Sequence, residues 1–177
     1  EPKDYNDLVY GKIIPEEINP LIYFDVTTNT TGDGTGYVTP DESFQVEHSS
    51  QTTIYFTSAS GSAMDYMSIN GETTEFELNT QLEDYTIYNI KEDLNIEACF
   101  GKIFEISLTA TGSGIVDPSD EINEVISGRD KTFYFTPDEG SALSRIIING
   151  TDIIEGPMGD YTFSNVLSDY TLEVEFG

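Results

Sequence analysis

The sequence predicts an all-β protein made of two tandem copies of one small unit, with little or no helix. Three observations carry that expectation: the chain repeats itself, its apolar residues alternate with polar ones at a period of two, and turn residues close each alternating run.

The repeat is read in blocks. Gly34-Thr35-Gly36-Tyr37-Val38-Thr39-Pro40 lines up with Gly112-Ser113-Gly114-Ile115-Val116-Asp117-Pro118, 78 residues on. Thr53-Ile54-Tyr55-Phe56-Thr57 lines up with Thr132-Phe133-Tyr134-Phe135-Thr136 at a spacing of 79, and so do Gly61-Ser62-Ala63 with Gly140-Ser141-Ala142 and Asn70-Gly71 with Asn149-Gly150. Asp84-Tyr85-Thr86-Ile87 and Asn89-Ile90 then match Asp160-Tyr161-Thr162-Phe163 and Asn165-Val166 at 76. The fall from 79 to 76 places a three-residue deletion after the Asn-Gly pair, where a loop tolerates a length change that a strand does not.

Taken in chain order, residues 1–23 form a leader outside the repeat, with Leu8–Ile14 apolar enough for a strand between turn-forming residues. Two readings of the leader stand: a partly ordered linker, or an edge strand added to the first copy. The first repeat runs over 24–100 and the second over 104–176, with Gly101-Lys102-Ile103 as a short junction. Within each copy, Asn-Gly between β-prone runs is the strongest local hairpin signal, because both residues accept positive φ. Thr132-Phe133-Tyr134-Phe135 is a strand closed by the turn residues Pro137-Asp138-Glu139-Gly140. Thr171-Leu172-Glu173-Val174-Glu175-Phe176 alternates strictly, as a strand with one buried face must. Only Asp120–Ile126 has any helical character, and for no more than a turn or two.

Composition excludes several functions. The chain has 177 residues with 33 Asp and Glu against 7 Lys and Arg, a formal net charge of −26. The cations Lys3, Lys12, Lys91, Lys102, Arg129, Lys131 and Arg145 form no cluster along the sequence, so neither nucleic acid nor an anionic membrane surface is expected as a partner. No run approaches the roughly 18 apolar residues of a spanning helix, so insertion of this segment into a membrane is not expected. Each copy carries 14 acidic residues, so the charge belongs to the repeat unit. That distribution fits protection of exposed strand edges better than a focused cation site.

The ordered pattern in the second copy (Gly112, Gly114, Pro118, Thr136-Pro137-Asp138-Glu139-Gly140, Asn149-Gly150, Tyr161-Thr162-Phe163, Asn165-Val166 and the alternating last strand) resembles the divergent internalin B-repeat family of bacterial surface proteins. The first copy departs from it at Thr57-Ser58-Ala59-Ser60-Gly61, where the Pro-Asp-Glu turn is missing. The resemblance implies small sandwich-like or β-grasp-like units used in series as spacer, adhesion or interaction modules. It also implies an extracellular or cell-surface location and no catalytic residues. Glu1-Pro2-Lys3-Asp4, with neither an initiator Met nor an apolar core, reads as a start from which any signal or anchor is expected to have been removed.

Few residues suggest chemistry. His48 is the single histidine, which excludes multi-histidine metal sites within the chain, and it is expected at an exposed loop or strand end. Cys99, the single cysteine, has only Glu97, Ala98 and Phe100 around it and is expected half-buried where the copies meet. With 33 carboxylates, some pair satisfies an acid–base spacing by chance, so the chain is read as no enzyme. No cofactor is expected; Asp33, Asp41, Asp117 and Asp138 offer hard oxygens for a structural Ca²⁺, but in no spaced calcium-loop pattern. Tyr37, Tyr66 and Tyr88 occur only in the first copy, where Ile115, Arg145 and Ser164 replace them in the second. They are the candidate contacts for an unidentified extracellular protein or, alternatively, as stacking platforms for a glycan.

Overall fold

The computed structural model describes residues 21–152 and 158–177, so the leader strand expected at 8–14 lies outside the described residues. The first copy contributes β1 (Tyr23–Thr31), β2 (Gly36–Thr39), β3 (Phe44–Glu47), β4 (Thr52–Ser58), β5 (Ser62–Ile69), β6 (Glu72–Glu75), a 3-10 turn at Leu78–Thr80, and β7 (Asp84–Ile87). An 18-residue strand, β8 (Leu94–Thr111), then runs from the first copy into the second. After it come β9 (Gly114–Asp117), β10 (Ile122–Ile126), β11 (Lys131–Pro137), β12 (Leu143–Ile148), β13 (Thr151–Asp152), β14 (Asp160–Phe163) and β15 (Tyr170–Phe176). The protein is all-β, as expected.

Each copy is two facing sheets. In the first, β6, β5, β8, β1 and β3 are hydrogen-bonded in that order, and β2, β4 and β7 form a separate three-stranded layer. In the second, β13, β12, β15, β8 and β10 repeat the order, faced by β9, β11 and β14. β8 is thus the last strand of one copy and the first of the next, and among the described residues the two five-stranded layers merge into one nine-stranded sheet. Residues 101–103, expected as a junction, lie inside this strand.

Alternation explains the layers. Leu94, Ile96, Ala98 and Phe100 of β8 point into one core with Val26, Val38, Ile54, Phe56 and Met67. Ile106 and Leu108, of the same parity, point into a second core with Val116, Phe133, Phe135, Leu172 and Val174. In that second core Phe133 and Phe163 meet edge to face with ring centres 5.9 Å apart, a favoured aromatic geometry.

The repeat extends to individual backbone angles. Positive φ occurs at Gly32, Ser49, Gly61, Asn70, Gly71 and Asn89, and again at Gly112, Gly128, Gly140, Asn149, Gly150 and Asn165. Asn70-Gly71 and Asn149-Gly150 each have positive φ at both positions, the turn whose twist suits a two-residue hairpin. One alignment shifts. Gly32, not Gly34, is the counterpart of Gly112: a Cβ on either would collide with the carbonyl oxygen of Phe100 or Phe176. Gly36 and Gly114 likewise sit against the rings of Phe100 and Phe176. The first copy therefore carries two extra residues between these glycines, Asp33 and Gly34, which the shared Gly-x-Gly pattern concealed.

Candidate functional site

Two places on the molecule combine chemistry that the bare fold does not require: the seam between the copies and the outer faces of the three-stranded layers.

The seam is built from residues that break the repeat. Opposite Phe100 and Cys99 of β8, β5 is bulged at Asp65, and β12 is bulged at the equivalent Ser144. A bulge re-aims the extra side chain. On the other side, Gly128 turns the chain after β10 with φ of 84° and presents Arg129, where the first copy has Ser50. Arg129 donates from Nε to Asp65 Oδ1 at 2.7 Å and from its terminal nitrogens to the Asp65 carbonyl oxygen at 3.0 Å and Glu77 Oε1 at 3.1 Å. Glu75 stands 3.8 Å away. Burial works against the guanidinium's charge, but the Asp65 hydrogen bond and the Asp65, Glu77 and Glu75 carboxylates outweigh it and hold its pKa above the ordinary value.

The inserted Asp33 forms the second contact. Its Oδ1 accepts from the Lys102 N–H at 3.1 Å and its Oδ2 from the Ser127 hydroxyl at 2.9 Å. Desolvation opposes the charge, but the Lys102 and Ser127 hydrogen bonds and the Lys102 charge together outweigh it and lower the Asp33 pKa. Ser127 stands where the first copy has His48, which is exposed beyond the end of β3 as expected. Ser127 N–H also donates to the Lys102 carbonyl at 2.8 Å, and Ile103 N–H to the Gly61 carbonyl at 2.9 Å.

The candidate tyrosines are not brought together. Tyr37 is 62% exposed on β2 and Tyr88 is 68% exposed just beyond β7. Tyr37 pairs with Thr57 at one end of β4, whereas Ile87 pairs with Thr52 at the other. At about 3.3 Å per residue that puts the two aromatic residues of the order of 20 Å apart. Tyr66 lies in the other layer, half-buried, and donates its hydroxyl to Glu97 Oε1 at 2.8 Å. That bond favours the neutral phenol and raises its pKa. Cys99 is its neighbour across β5 and β8. The thiol is half-buried beside Thr31 and Tyr66, and desolvation raises its pKa. Those neighbours belong to the first copy alone.

Sequence reasoning did not single out Tyr55 and Tyr134 among the strand tyrosines. Both are exposed, at 54% and 56%. Tyr55 is diagonal to Tyr37 across β2 and β4, and Tyr134 is diagonal to Ile115 (61% exposed) across β9 and β11. Diagonal neighbours lie about 7–8 Å apart, within reach of aromatic rings. The missed signal was parity: Tyr55 lies between Ile54 and Phe56, which both face the core. Beside Tyr37 an open groove of about 430 Å³ is lined by Asn29, Thr30, Thr39 and Asp41.

The calcium candidates are also separate. Asp33 belongs to the seam, Asp41 to the groove, Asp117 ends β9, and Asp138 receives the Ser141 N–H on its carbonyl in a turn. Among the described residues no three His, Cys, Asp or Glu side chains converge as a metal site. No helix among them is long and apolar enough to cross a membrane. Compared with known proteins, the chain matches no family model, no curated protein and no solved structure.

Proposed function

We propose that the chain is a non-catalytic spacer and interaction module of a bacterial surface or secreted protein. The observation that carries this reading is β8, which joins the two copies without a linker and fixes their spacing. Eighteen residues of strand span about 60 Å. A continuous sheet of that length, backed by two cores and tied by Arg129 and Asp33, suits holding one part of a protein away from another. The similarity of the repeat pattern to the internalin B-repeat supports the extracellular placement, and the acidic surface suits a module that must not pair with its neighbours through sheet edges. Antibody labelling of intact bacteria that make the protein is the test. Surface staining removed by brief protease treatment is expected; a wholly intracellular pool contradicts the reading.

A second reading has one observation in its favour. The Tyr37 ring borders a groove that also offers Asn29, Thr30 and Asp41, a combination of stacking face and polar groups suited to a sugar. Glycan-array binding that is lost in Tyr37→Ala and kept in Tyr88→Ala supports it; no binding by the intact protein rejects it.

A further inference from the structure

We propose that each copy is a mechanical clamp, arranged to resist tension applied along the chain. In the first copy the chain enters along β1 and leaves along β8, and these strands are immediate neighbours, parallel, paired from Val26–Leu94 to Thr31–Cys99. In the second it enters along β8 and leaves along β15, again parallel neighbours, paired from Ile106–Tyr170 to Thr111–Glu175. Pulling the entering strand backwards and the leaving strand forwards slides one past the other. Every bond of the ladder is then loaded at once. The opposite arrangement, with force applied to the same end of two neighbouring strands, opens a ladder one bond at a time. Forced unfolding is governed by the unfolding barrier, and simultaneous rupture raises that barrier where sequential opening does not.

Three further features strengthen the clamps. Each ladder is extended at the point where load enters: Asp25 N–H donates to Asp93 Oδ1 at 2.9 Å, and Glu105 N–H donates to Asp169 Oδ1, also at 2.9 Å. The first ladder is prolonged at its other end by Gly34 N–H on the Phe100 carbonyl at 2.8 Å. One face of each ladder is covered by a core: Val26, Ile96 and Ala98 in the first copy and Ile106, Leu172 and Val174 in the second are fully buried. Water is therefore kept from replacing the strained bonds from that side. Finally, β8 is the leaving strand of the first clamp and the entering strand of the second, so tension passes between them through covalent backbone with no slack segment.

The biological use of such clamps, a tether that keeps its length under drag, rests on the spacer reading, but the mechanical test does not. Single-molecule force spectroscopy is carried out on the full chain held by handle domains at its two ends. It is repeated with handles on cysteines at positions 23 and 92, in a Cys99→Ser background, which pull the starts of β1 and β8 apart. At one loading rate, the end-to-end geometry is expected to need a several-fold higher force than the 23/92 geometry. Equal forces, or a weaker end-to-end geometry, overturn the proposal. A weak clamp on a surface-exposed protein refutes the clamp alone; a strong clamp in an intracellular protein refutes the spacer alone.

Discussion

Arg129 of the second copy lies with its Nε 2.7 Å from Oδ1 of Asp65 in the first. Neither residue is repeated: Ser50 and Ser144 hold the equivalent positions. Asp33 likewise comes from an insertion found only in the first copy. The seam therefore uses differences between two otherwise equivalent units, and it joins them in one order only.

Arg129→Ala should lower stability by about 2–3 kcal/mol, the scale of hydrogen bonds to charged groups whose removal strands a partly covered carboxylate. Arg129→Lys should recover only part of it, since an ammonium cannot bond Asp65 and Glu77 with the same fork. Urea unfolding of the two variants measures this. A loss below about 0.5 kcal/mol in Arg129→Ala, the range of an ordinary surface substitution, contradicts the assignment.

The seam also has an acid sensitivity. Asp33 has a lowered pKa in the folded state, so its contribution is present above the ordinary aspartate value, near 4, and is lost as pH falls through the lower folded value. Asp33→Asn should be less stable than the natural protein at pH 6, and the gap should close towards pH 2. A gap that widens on acidification reverses the sign and rejects the linkage.

Cys99 should react slowly with thiol reagents. Its thiolate is disfavoured by desolvation, and the side chain is half-buried beside Thr31 and Tyr66. Maleimide or disulfide-exchange labelling of the folded protein at pH 7 is expected to run at least about tenfold slower than that of a free thiol, and to accelerate above pH 9. Labelling at the free-thiol rate contradicts this placement.

Gly114→Ala should cost about 1–3 kcal/mol, because its methyl would meet the Phe176 ring in a filled core. Gly36→Ala should behave alike against Phe100. Thermal unfolding that is unchanged in both would show that these glycines are not the close approaches described.

The fold was legible where a local cause sufficed. Asn70-Gly71 and Asn149-Gly150 announce their hairpins because positive φ at two successive residues restricts the choice of side chains. The continuity of β8 was not legible, because Gly101 inside a run of strand formers reads as a break. In the folded chain a Cβ at Gly101 would stand 2.5 Å from Ile126 Cγ2, so the glycine admits a close approach from the second copy rather than ending the strand. That the candidate tyrosines lie apart has a related reason. Difference between copies marks Tyr37, Tyr66 and Tyr88, but proximity is set by strand register, which pairs Tyr37 with the neighbourhood of Tyr55 and sends Tyr66 to the opposite layer. The seam as a whole depends on a bulge at Asp65, an insertion at Asp33 and a turn at Gly128, none of which announces its partner along the chain.

β8 and its seam should hold the two copies as one rigid body. Electron–electron spin distance measurement between labels at the equivalent exposed positions 57 and 136, with Cys99 replaced by Ser, decides it. A single narrow distance distribution, broadened by Arg129→Ala combined with Asp33→Ala, is the predicted result. A broad distribution in the otherwise natural sequence, unaltered by those substitutions, would mean that the copies are beads on a flexible joint.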